Sequence, residues 1–198
     1  MTAESTRITP PPARLMTGDE PIAGVGATLR DFWAWTMSDL RTNTVRPMLA
    51  EFLVARALGA AHRPRVEWDS YDVLTPDGVK VEVKSSAYLQ AWAQARHSTI
   101  TFGGLRARPD HLGGDGTGES YNADVYVFAV LTCLDHATYD ALDVAQWTFW
   151  LLSRDAVAAT GQRSLALSRV QALAGHPVNY ADLAEAIHRT VSSSTVGS

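Results

Sequence analysis

A chain of 198 residues with 46% hydrophobic content can bury one sizeable core and needs no second domain. A net charge of −4 argues mildly against a nucleic-acid partner, and the single cysteine, Cys133, excludes an internal disulfide and argues against redox chemistry. The longest mainly apolar run, residues 125–134, is too short to cross a bilayer, and Pro10, Pro11 and Pro12 stand where a signal peptide would need an apolar block, so a soluble, cytoplasmic protein with no membrane partner is expected.

In chain order, residues 1–20 are polar and Pro-rich and read as a flexible N-terminal segment. Residues 21–191 form the expected domain, and the Ser-rich 192–198 are expected as a disordered tail. A helix is expected over 29–40, with Trp33 and Trp35 as packing anchors. Asn43 or Thr44 can cap a second helix, which tolerates Pro47 in its first turn and stops at Gly59. Strands follow at 65–74 and 79–86, the second with an extension towards Gln90, and then a short one at 99–102. Residues 103–122 read as a long loop. Its run from Gly113 to Gly118 lacks the Gly-Lys-Ser/Thr ending of a phosphate-cradling loop. Strands at 123–131 and 147–152 and a closing amphipathic helix at 180–191, apolar at Leu183, Ala184, Ile187 and Val191, complete a mixed α/β domain.

The turn at 75–79 is the most informative local feature. Pro76 suits the first central position of a type I turn, Asp77 the second, and Gly78 supplies a positive φ, which defines a three-residue hairpin loop. Thr75 then pairs with Val79, Leu74 with Lys80, Val73 with Val81 and Asp72 with Glu82. Period-2 alternation puts Asp72, Glu82 and Lys84 on one face and Val73, Val81 and Val83 on the other. A two-residue loop would shift this pairing by one, and Asp69 competes for the acidic position if a bulge intervenes. Of 17 basic residues 15 are Arg, and the only lysines, Lys80 and Lys84, lie in this hairpin. A compact ammonium beside two carboxylates is the raw material of a metal-dependent phosphodiesterase. The plainer alternative is a set of cross-strand salt bridges. Residues 41–108 carry 10 Arg or Lys against 6 Asp or Glu, so positive charge gathers around the hairpin despite the acidic total. His62 and His97 have no partner at zinc spacing.

The order of a helix with Glu51, a strand with Asp72 and a strand with Glu82-Val83-Lys84 resembles the PD-(D/E)XK nuclease superfamily over residues 44–90. Tyr71 stands where the family's proline would be, and the helix expected between the third and fourth core strands is not visible in residues 103–122. The resemblance implies a restriction-endonuclease-like fold, a central mixed β-sheet flanked by helices in a single domain. It also implies a Mg²⁺-dependent DNA endonuclease of a restriction or defence system, with Mn²⁺ as a substitute ion. Asp72, Glu82, the Val83 carbonyl and Glu51 would hold the ion, and Lys84 would orient the attacking water. Glu51 in isolation reads more readily as a solvated helix residue, and its place between Met48 and Ala55 on a partly apolar stripe favours the site. Ser86 and Gln90 keep the parity of Lys84 and are candidate contacts to the phosphate backbone. The expected partners are DNA and either a second copy of the chain or a protein of the same defence system. A non-catalytic nucleic-acid-binding or assembly subunit that keeps the fold is the alternative, and a structural protein whose hairpin charges merely pair is a third reading.

Overall fold

The computed structural model describes residues 11–65, 67, 69–107 and 118–195. The first ten residues, most of the Gly-rich run at 113–118 and the last three residues of the expected tail lie outside the described residues. The elements in chain order are β1 (Pro21–Ile22), β2 (Ala27–Thr28), α1 (Leu29–Met37), α2 (Val45–Ala57), β3 (Val73–Leu74), β4 (Lys80–Ala87), β5 (Thr101–Phe102), β6 (Val125–Leu131), β7 (Trp147–Ser153), α3 (Arg154–Ala159), β8 (Leu165–Ala166), α4 (Leu167–Ala174) and α5 (Leu183–Thr195).

A mixed sheet in the order β3-β4-β6-β7 forms the centre, with β4 and β6 parallel and the other two pairings antiparallel. One face carries Val81, Val83, Ala87, Val127, Ala129, Leu131, Phe149 and Leu151. It packs against Ala50, Leu53 and Val54 of α2 and Leu183, Ala186 and Ile187 of α5. The opposite face carries Tyr126, Phe128, Val130, Trp150 and Leu152, covered by Ile100, Phe102, Leu105, Val157, Leu165 and Val170. With both faces covered, every residue of β6 is buried, as its unbroken apolar run requires. Asp124 fixes β4 beside β6. Its main-chain N–H donates to the Lys80 carbonyl, its carboxylate accepts the Lys80 N–H at 2.8 Å, and Arg154 pairs with it.

Several expectations change. Strand β3 is two residues long rather than ten, because the chain leaves the ladder at Asp72. Trp35 is 84% exposed and no residue of α1 is buried, so only Trp33, whose ring lies against Gly18, packs at all. α1 begins at a capping box between Thr28 and Asp31, which its composition did not single out. At the start of α2 neither Asn43 nor Thr44 caps the helix; the Thr42 hydroxyl accepts the Val45 N–H instead, and the Asn43 side chain holds Arg46. Gly59, at φ 67°, does follow the end of that helix. α5 runs to Thr195, into the segment read as a tail, with the Ser192 and Ser193 hydroxyls donating to the carbonyls of His188 and Arg189. Among the described residues no helix is long and apolar enough to cross a membrane.

Candidate active site

The hairpin register is the one counted from its turn. Thr75 N–H donates to Val79 O at 3.0 Å, Gly78 N–H donates to Thr75 O, Gly78 has φ 90°, and Val73 and Leu74 pair with Val81 and Lys80. Beyond Val73 the pairing slips. Asp72 N–H donates to the Val81 carbonyl, and the Asp72 carboxylate accepts the Val83 N–H at 2.7 Å. The slip has the form of a bulge, and the expected Asp72–Glu82 pair does not form. The carboxylate stands at the edge of β4, where the next strand carbonyl would otherwise be. Residues of a strand point their N–H and C=O to the same edge, so the Val83 carbonyl lies on this open edge too.

Three elements therefore converge around Val83. Glu82 and Lys84 rise from one face of β4, Asp72 stands at its edge, and Glu51 arrives from α2, which covers the other face. Lys84 Nζ lies 2.6 Å from Glu82 Oε1, with the two side chains 22% and 13% exposed. Behind them, Tyr126 is the β6 partner of Glu82 and donates its hydroxyl to Leu105 O at 3.2 Å. Gly104, at φ 66°, lies over Lys84: a Cβ there would stand 3.4 Å from Nζ.

Electrostatics mark the cluster as crowded with negative charge. Burial, then the charge of Asp72 and to a lesser degree that of Glu51, pushes Glu82 up to about 7 despite Lys84. Burial likewise raises Asp72, opposed by the Val83 N–H and by Lys84 and Arg65. Glu51 is raised by burial and by Asp72, against the pull of Arg65, which pairs with it through Nε and through Nη2 at 3.2 Å. Burial and the Glu82 charge push the Tyr126 phenol up to about 12. A buried carboxylate whose proton affinity is raised further by carboxylate neighbours marks a site short of positive charge.

Among the described residues no group of three His, Cys, Asp or Glu side chains is arranged to hold a metal ion. What the edge of β4 offers is an all-oxygen set, the carboxylates of Asp72 and Glu82 and the Val83 carbonyl. That set suits a hard divalent cation that retains several waters. Glu51 has both oxygens on Arg65. Ser86 keeps the parity of Lys84 on β4. Gln90 does not, because β4 ends at Ala87. Its buried amide donates to Ala87 O and Ser98 Oγ and accepts from Arg46, away from the cluster.

Beside Glu51 and Asp72 opens a cleft of about 660 Å³, walled by residues of α2, the segment that follows it and the hairpin; Glu82 and Lys84 lie outside its lining. Arg65, Tyr126 and Gly104 went unnoticed in the sequence. Arg65 sits among ordinary arginines, and the approach of residues 104 and 126 to β4 depends on tertiary packing that no local pattern encodes.

Carboxylates and an ammonium gathered at a strand edge are suited to work on phosphate esters. Comparison with protein families agrees: the model of the bacteriophage T4 endonuclease IV family matches residues 33–165, or 133 of the 198. The chain belongs to that family, and its function is that of a nuclease. The matched span contains Glu51, Arg65, Asp72, Glu82, Lys84 and Gly104. No curated protein matches the chain.

Proposed function

We propose that this nuclease is a Mg²⁺-dependent DNA endonuclease of the PD-(D/E)XK type, with Mn²⁺ able to replace Mg²⁺. The observation that carries the proposal is the convergence of Glu51, Asp72, Glu82 and Lys84 on the open edge of β4 at Val83. Asp72, Glu82 and the Val83 carbonyl would hold the ion. Bound there, it would lower the pKa of a water and stabilise the leaving oxygen. Lys84 Nζ, held by Glu82 on one side and covered by Gly104 on the other, presents its remaining N–H groups to that water and to the phosphate. Glu51 adds negative charge behind Asp72 and anchors Arg65. Tyr126 keeps its proton, since its pKa is pushed up to about 12, and serves to hold residues 104 and 105 over the site. A restriction or defence setting, with a second copy or a partner protein, rests on the superfamily resemblance alone.

Supercoiled plasmid and short oligonucleotides incubated with Mg²⁺, Mn²⁺ or EDTA test the proposal. Cleavage is expected with either ion and not in EDTA. Asp72→Ala and Lys84→Ala should each lose at least about 10²-fold, the usual contribution of a positioned proton-transfer or charge-stabilising group. Cleavage that survives both substitutions would sink the assignment. Metal-independent binding without cleavage would favour the non-catalytic binding subunit instead.

A further inference from the structure

We infer that Arg65 is the substrate-phosphate-binding residue of this nuclease, held in place by Glu51 at the mouth of the adjoining cleft; the inference rests on the nuclease reading above. A guanidinium has five N–H donors in a rigid fork. Glu51 takes two of them, through Nε and Nη2, and among the described residues it is the only hydrogen-bond partner of Arg65. Among the described residues three donors are left unused, on a side chain that lines the cleft. The burial of the pair is unequal: the Glu51 side chain is 9% exposed and that of Arg65 38%. A counter-ion whose only task was to neutralise a buried carboxylate would be buried with it. Here the carboxylate is the buried anchor and the guanidinium is the part on view, which is how an arginine fork is made ready for a second anion.

Position supports the same role. Arg65 lines the cleft together with Glu51 and Asp72, so an anion bound to it lies next to the Asp72 carboxylate and the open edge of β4. Arg63 and His62 line the same cleft, and among the described residues Arg63 has no ion-pair partner. The facing walls include Phe52 and Leu74, 52% and 47% exposed, which give the sugar or base attached to that phosphate an apolar surface. A cleft of about 660 Å³ lies in the size range of ligand sites. Besides Lys84, Arg65 is the positive charge that among the described residues acts on both Glu51 and Asp72, and it lines the cleft a polyanion would enter.

The test is the salt dependence of binding. Short single-stranded and duplex oligonucleotides are titrated with Ca²⁺ in place of Mg²⁺, and log Kd is plotted against log salt. Each phosphate contact contributes about 0.9 to the slope for duplex and about 0.7 for a single strand. Removal of Arg65 orphans a buried carboxylate, so Arg65→Ala is compared in the Glu51→Gln background, where no charge is left behind. Glu51→Gln/Arg65→Ala should bind with a slope shallower than that of Glu51→Gln by about one contact. Arg65→Lys in the wild-type background should keep the slope while losing up to about tenfold in affinity, since it retains the charge and loses the fork. Arg169→Ala, on the exposed side of α4, which packs on the opposite face of the sheet from α2, should leave the slope unchanged. An unchanged slope in the double variant, or an equal loss in Arg169→Ala, overturns the assignment of Arg65 while leaving the nuclease reading intact. A wild-type protein that neither binds nor cuts either oligonucleotide overturns the nuclease reading beneath it.

Discussion

Glu82 carries the sharpest consequence at the scale of one residue. Its ordinary pKa of 4.5 rises to about 7 in the folded protein, first through burial and then through the charge of Asp72. A carboxyl whose folded pKa is raised binds more protons folded than unfolded, so its contribution to stability is full below about 4.5 and is lost as pH climbs through about 7. Glu82→Gln removes that dependence. In EDTA the variant should match wild type near pH 5 and exceed it at pH 8, by up to about 3 kcal/mol, equivalent to several degrees in Tm. A gap between the two proteins that does not change with pH would falsify this account. If the missing positive charge is a divalent ion, adding Mg²⁺ at pH 8 should raise the Tm of wild type and barely move that of Glu82→Gln. Equal shifts would show an ion bound elsewhere.

Among the elements, the hairpin shows what a sequence can and cannot state. The register from Thr75 to Val81 was legible because Pro76, Asp77 and Gly78 each have a conformational preference that leaves one economical turn, and the alternation of valines with charged residues fixed the faces of β4. The bulge at Asp72 was not legible, because nothing in Tyr71-Asp72-Val73 distinguishes a residue that continues a ladder from one whose carboxylate caps the neighbouring strand. Asp72 still reaches β4: a bulge moves it along the strand by one residue, and its carboxylate is long enough to accept the Val83 N–H from there. α3 and α4 were missed for a different reason. They are six and eight residues long, too short for a helical period to show, and they form because Ser153 caps the first and the second core draws in Val157, Leu167 and Val170. Gly78 tests the hairpin as an element: at φ 90° a side chain is strained, so Gly78→Ala should cost about 1 kcal/mol and, by loosening the register, lower cleavage more than a comparable loss elsewhere. Chemical denaturation read beside cleavage rate separates the two effects; normal cleavage at reduced stability would show that the turn does not position Asp72.

At the scale of the whole molecule, the two ends beyond the family's span differ in what they bury. α1 begins before the matched residues, has no buried residue and leaves Phe32, Trp35 and Met37 45%, 84% and 41% exposed. α5 lies wholly after that span, yet Leu183 and Ile187 are fully buried and Ala186 nearly so, in the core with Phe149 and Leu151 of β7 and Val127 of β6. Burying an aliphatic side chain contributes about 1.5–3 kcal/mol, and a domain of this size is stable by only about 5–15 kcal/mol. Removing α5 deletes two such side chains and uncovers the sheet face that both helices share with β4. A chain ending before Leu183 should therefore lose its cooperative thermal transition and its cleavage together. A chain lacking residues 1–37 should keep a cooperative transition within a few degrees of the full-length protein, because α1 contributes surface rather than core. Melting followed by near-ultraviolet circular dichroism distinguishes these cases. A cooperative melt without α5 would mean that α2 alone closes the valine face, and the support of β4, with Glu82 and Lys84 on it, would then come from the aromatic core on the other side of the sheet.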